Sequence, residues 1–186
     1  MNRSEALALV HQHTPSESLR RHMLCVECCM RWYATMLSEN VDQWGIAGLL
    51  HDFDYEQHPN EHPVWGLNLL QEMGVDESIL GAIATHYPEK TGREPEKSIE
   101  RYLYACDELS GLITAVTYVR PSKSILEVEV KSVLKKLKDL SFAAGVNRAD
   151  VARGCELIGL PIEEHVNNLL IAMKADAIAL GLAPSV

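Results

Sequence analysis

The sequence predicts an all-α protein, and three observations carry the prediction. Apolar residues recur at helical spacing along almost the whole chain, no segment shows the strict alternation of a half-buried strand, and capping signals recur at short intervals. The chain has 186 residues, 47% hydrophobic and 23% charged, enough for one sizeable core. Short connections and the lack of repeats or linkers favour one compact helical bundle over residues 1–140, with its core at about 15–120. Residues 141–186 are expected as a C-terminal helical extension packed on it.

Thr14-Pro15-Ser16-Glu17 reads as a capping box with proline at the first helical position. It opens a long helix with the stripe Leu19, Met23, Val26, Met30, Tyr33 and Leu37. Asp42 caps a shorter helix that ends near the loop holding Asp54 and His58. The next runs over 62–73 and stops at Gly74, and Asp76 caps one ending near His86, where Tyr87-Pro88 disfavours continuation. A long helix follows from Ser98 to Val119, and its best strand-like stretch, Ala115 to Val119, is still read as helix. Ser124 and Glu127 read as a capping box for a Lys-rich helix to Asp139, with the stripe Leu126, Val130, Val133, Leu137 and Leu140. Asn147 caps a short helix and Pro161 starts a last one to Gly181, on which His165 is expected in solvent.

Net charge is −9, which argues against binding nucleic acid or an anionic membrane and leaves small anionic substrates possible. No apolar run has the length of a membrane span. The N-terminal MNRSEALALVHQH lacks the pattern of a secretory signal. The five cysteines are an odd number without the spacing of a disulfide scaffold, so reduced thiols and a cytoplasmic protein are expected. Cys25, Cys28 and Cys29 lie mid-helix with no second pair nearby, which favours packing over zinc.

The chemistry concentrates in a few residues. His51-Asp52 follows the apolar run Ile46 to Leu50 at a helix end, where the backbone can turn both side chains onto one metal. His22 lies in line with Val26 and Cys29 and is expected to face inward. Asp107 interrupts an apolar stretch from Tyr102 to Leu109. A buried carboxylate needs a partner, and a divalent cation is one; an Arg or Lys, with His22 as a plain core histidine, is the structural alternative. Two histidines and two carboxylates suit an octahedral metal with open positions.

The order His22, His51-Asp52, Asp107 resembles the HD-domain superfamily of metal-dependent phosphohydrolases over roughly residues 15–120. The flanks HMLCVE, AGLLHDFD and YACDELSG resemble it as well. The resemblance implies an all-α fold, one metal on these four residues, and hydrolysis of a phosphate ester or nucleotide polyphosphate. His62 in EHPVWG and His86 in AIATH look like the extra ligands of dinuclear HD enzymes, in which the doublet aspartate, here Asp52, bridges two metals. His58 competes with His62 on spacing alone. Asp52 is therefore the expected catalytic residue, and one or two divalent metals (Fe, Mn, Co, Ni, Zn or Mg) the expected cofactor. Such metals acidify a bound water and neutralise phosphoryl charge.

Asp54 and Glu108 sit beside the expected ligands and could orient water, or be ordinary carboxylates. Between Tyr118 and Asp139 six Lys and Arg stand against three acids, so Arg120, Lys123, Lys131 and Lys135 are candidates for binding a small phosphorylated substrate such as a nucleotide. A solvated basic helix face is the alternative. Two competing functions remain: a mixed-valent di-iron oxygenase using the same six ligands, and a non-catalytic nucleotide-sensing module.

Overall fold

The helix that runs from Ser98 to Tyr118 is the axis of the molecule, and nearly every other element packs on it or on a helix that touches it. The computed structural model describes residues 1–184, and among these it shows ten α-helices, one 3-10 turn and no strand. In chain order they are α1 (Arg3–His13), α2 (Glu17–Leu37), α3 (Val41–Leu50), α4 (Val64–Glu72), α5 (Glu77–Thr85), α6 (Pro88–Thr91) and α7 (Ser98–Tyr118). A 3-10 turn at Ile125–Glu127 precedes α8 (Val130–Leu137), α9 (Arg148–Ile158) and α10 (Ile162–Ala175). No described helix is long and apolar enough to cross a membrane.

Two close approaches set the layout. Gly48 lets α3 lie on α2, since a Cβ there would meet the Glu27 backbone nitrogen at 2.9 Å. Gly154 does the same for α9 on α7, where a Cβ would stand 2.7 Å from Ala105 Cα. Residues after 140 therefore share the main core: Val151, Val166, Leu169 and Met173 are buried in one cluster with Met23, Leu50 and Leu103. All five cysteines are buried free thiols, and burial pushes up the pKa of each of them.

Several caps differ from expectation. Ser16, not Thr14, caps α2 by accepting the Leu19 N–H, while the Thr14 hydroxyl donates to Phe53 O at 3.0 Å and ties the loop after α3 to the end of α1. Asn40 rather than Asp42 caps α3, because Asp42 is drawn to Arg31 at 3.0 Å. Ser124 caps only the 3-10 turn, and α8 starts at Val130. Its expected stripe is cut short as a result: Leu126 is 57% and Leu140 72% exposed, and Ile125 and Val128 fill the core instead. His165 is also displaced from expectation, being completely buried. Its Nε2–H donates to Ala105 O at 3.0 Å and its Nδ1 accepts from the Tyr33 hydroxyl at 2.6 Å.

Candidate metal centre

A cleft of about 590 Å³ opens where the ends of α3 and α5, the start of α4, the second turn of α2, the middle of α7 and the loop before α9 meet. Six imidazole and carboxylate side chains converge on its floor in two groups, His22 with His51 and Asp107, and Asp52 with His62 and His86. In the first, Asp107 Oδ1 stands 2.9 Å from His22 Nε2 and 3.4 Å from His51 Nε2. In the second, Asp52 Oδ1 stands 3.3 Å from His62 Nε2 and 3.5 Å from His86 Nε2. The other oxygen of Asp52, Oδ2, faces the first group, 3.5 Å from His51 Nε2 and 3.8 Å from His22 Nε2. One carboxylate thus spans both groups with one oxygen each.

The backbone explains how residues so far apart in sequence converge. His51 is the C-cap of α3 and His86 the C-cap of α5, so each ring turns back over its own last helical turn. His51 Nδ1 donates to Gly48 O at 2.8 Å, and His86 Nδ1 donates to Ile83 O at 2.5 Å. His62 Nδ1 donates to Asp54 Oδ1 at 2.7 Å, and Asp54 Oδ2 accepts the Gly66 N–H at 2.8 Å. Asp54 is 1% exposed. It is therefore a carboxylate that orients His62, not one free to handle water. His58 leaves the competition by stacking on Trp65, ring centroids 3.8 Å apart.

These hydrogen bonds test whether a cation fits. With Nδ1 protonated on His51, His62 and His86, each neutral ring carries a bare lone pair on Nε2. Yet His62 Nε2 and His86 Nε2 lie 3.1 Å apart, and His51 Nε2 lies 3.2 Å from His22 Nε2. In the His62 and His86 pair both lone pairs face each other, and at that distance they repel unless a proton or a metal ion sits between them. Each of the two histidine pairs, with a carboxylate oxygen beside it, forms a nitrogen and oxygen donor set of the kind divalent transition metals take. Without metal, charge does the same work: burial would lower the His51 pKa, but Asp52 and Asp107 outweigh it and raise it to about 9. Burial likewise opposes ionisation of Asp52 and Asp107, and the facing histidines together outweigh it, His51 with His86 at Asp52 and His51 with His22 at Asp107, holding both below the usual carboxylate range.

Other walls of the cleft were not legible as site residues in the sequence. Tyr55, Tyr87 and Tyr104 line it, with Glu89, Asn147 and Asp150. Tyr104 donates its hydroxyl to Asp150 Oδ1 at 2.6 Å, and Glu108 Oε2 accepts the Asn147 N–H at 3.1 Å. Burial, with Asp107 beside it, raises Glu108 to about 7. Asn147 was readable as a helix cap, which it is, but only the packing of α9 on α7 turns that cap into the wall of the cleft. Arg148 holds the preceding loop by donating to Ala143 O at 2.6 Å and Val146 O at 2.7 Å.

The expected phosphate clamp is placed elsewhere. Arg120, Lys123, Lys131 and Lys135 do not line the cleft. From Asp107 to the end of α7 is roughly 17 Å at the helical rise, and the basic segment begins beyond that end. The Lys131 side chain is 82% exposed and pairs with Glu129 at 2.7 Å, as a solvated face does.

A profile of the HD domain family matches residues 19–112, half of the chain, and that span holds all six converging side chains. The chain belongs to the HD domain family. The HD superfamily is one of metal-dependent phosphohydrolases, and its all-α architecture agrees with the helices found here. The HD match ends before α8, α9 and α10, although the loop before α9 and its first turn wall the cleft. No curated protein and no solved structure matches the chain.

Proposed function

We propose that this HD domain protein hydrolyses a small phosphate ester at a dinuclear metal site. His22, His51 and Asp107 would hold one divalent ion, His62 and His86 the other, and Asp52 both. The observation that carries the reading is Asp52, whose two oxygens are directed one to each group of ligands. Ions held there would acidify a coordinated water and neutralise charge on phosphoryl oxygens.

The chain's own residues supply the rest. Gly48 O, Ile83 O and Asp54 each accept an Nδ1–H, which fixes the ring tautomers and turns three Nε2 atoms toward the cleft floor. Asp52, half of a shared site, is the residue on which both ions depend. The loop before α9 and its first turn close one wall with Gly145, Asn147 and Asp150, so residues beyond the family match take part in binding.

The test is metal analysis of protein purified without chelator, followed by hydrolysis assays with the bound metal and with Zn or Mg in its place. About two ions per chain, with turnover that survives redox-inert metal and exclusion of oxygen, is the expected result. Turnover that needs both iron and oxygen would replace the hydrolase reading with the oxygenase one.

A further inference from the structure

Beyond the six metal ligands, the walls of the cleft have a consistent chemistry. Glu89, Glu108 and Asp150 contribute carboxyl groups, Tyr55, Tyr87 and Tyr104 contribute rings, and no described Lys or Arg lines the cleft. Arg153 stands over the Tyr104 ring at 5.2 Å and is engaged with Glu94. Lys90, adjacent in sequence to Glu89, donates to Asn60 O at 3.3 Å. Tyr104 is almost fully buried and its hydroxyl is committed to Asp150, so this part of the wall is fixed rather than adaptable.

Two dications on ligands with two carboxylates leave a positive floor that can accept a phosphoryl group. The space above that floor is the opposite. A second phosphate there would face three carboxyl groups with no Lys or Arg among the lining residues, and like charges brought together in a cleft strongly disfavour the wrong ligand. An ammonium group would meet Glu89 and Asp150 and the electron-rich faces of tyrosine rings, which attract cations.

We propose that the cleft takes a phosphate monoester of an amino alcohol, its phosphoryl group on the metal-ligand floor and its ammonium end against Glu89, Asp150, Tyr55 and Tyr87. The inference rests on the phosphohydrolase reading and narrows its substrate class away from polyphosphates. In the reaction the oxygen of water bonds to phosphorus, the ester P–O bond breaks with its electron pair going to the departing oxygen, and a water proton ends on the released amino alcohol. The second product is inorganic phosphate.

Three esters of equal length test this on the metal-loaded full-length protein: an aminoalkyl phosphate, its methyl-terminated alkyl analogue, and the alkyl bisphosphate. The aminoalkyl ester is expected to exceed the neutral analogue by about tenfold in kcat/KM, as a few partly exposed charge contacts would give. The bisphosphate is expected to be the poorest. Glu89, exposed and without a hydrogen-bonding partner among the described residues, permits a charge reversal that leaves the core intact. Glu89→Lys should bring the bisphosphate above the aminoalkyl ester. Equal turnover of all three esters by the wild type, or preference for the bisphosphate, overturns the amino-alcohol assignment while leaving the phosphohydrolase reading in place. No turnover of any of them by protein carrying its full metal complement overturns both.

Discussion

Two regions of this molecule bury histidines, and they do it in opposite ways. Under α10, His165 has a partner on each ring nitrogen, the Tyr33 hydroxyl on one side and Ala105 O on the other. In the cleft, His51, His62 and His86 each have one nitrogen satisfied by a fixed acceptor, while the other faces a second histidine. Burial is nearly complete in both regions, so burial does not separate a structural histidine from a metal ligand. The number of satisfied nitrogens does. A ring with both partners is complete, and a ring with one is half of something else.

The strongest way to break the comparison is at Asp52. If its carboxylate serves both groups, Asp52→Ala should take metal content from about two ions per chain to nearly none and abolish turnover, as read by elemental analysis and kinetics. Retention of both ions would end the shared-carboxylate reading. His62→Ala should have a smaller effect, leaving about one ion per chain at the His22, His51 and Asp107 group.

At the other pole, His165→Leu should leave metal content unchanged and cost about 2–4 kcal/mol in denaturant unfolding. It leaves the buried Tyr33 hydroxyl without its acceptor and perturbs a filled core. His165 also predicts a pH dependence. Burial, opposed by the Ala105 carbonyl, lowers its pKa from 6.5 to about 4, so between these values the unfolded chain binds more protons than the folded one. Its contribution is complete above pH 6.5 and is lost as the pH falls toward 4, on the order of 3 kcal/mol in all. The same titration on His165→Leu should lack that part of the acid sensitivity. A mutant as acid-sensitive as the wild type would show that other groups carry the effect.

A subtler change should sharpen the contrast. Asp54→Asn keeps the shape of the residue that orients His62 but weakens its acceptor, and loss of such an outer partner typically reduces metal affinity 10- to 100-fold. The effect should fall on one ion of the two, seen as a second, weaker phase in metal titration. Smallest of all, Lys131→Ala and Lys135→Ala should leave kcat and KM within about twofold, since both stand on a solvated face outside the cleft. A large rise in KM there would restore the basic helix as a substrate clamp.

The local sequence determined most of the helices and the identity of the six converging side chains. Helical periodicity and caps such as Asp76 and Asn147 are short-range signals, and the order His22, His51-Asp52, His62, His86, Asp107 is carried by residue type and flank alone. Where local signals competed, as between Thr14 and Ser16 or between Asp42 and Asn40, tertiary partners chose, because Phe53 O and Arg31 are remote in sequence. The same holds for the largest misplacements. His165 lies on a helix whose first turn is acidic, and only the docking of α10 on α2 and α7 buries it between Tyr33 and Ala105. The basic segment carries the charge a phosphate needs, but the length of α7 takes it away from the ligands. The acidic and aromatic wall is assembled from the loop after α3, the turn into α6, the middle of α7 and the start of α9, and the Gly154 contact with Ala105 brings the last of these onto α7. Residue types fix what chemistry is available, whereas which groups share one cleft depends on long-range packing that no local pattern encodes.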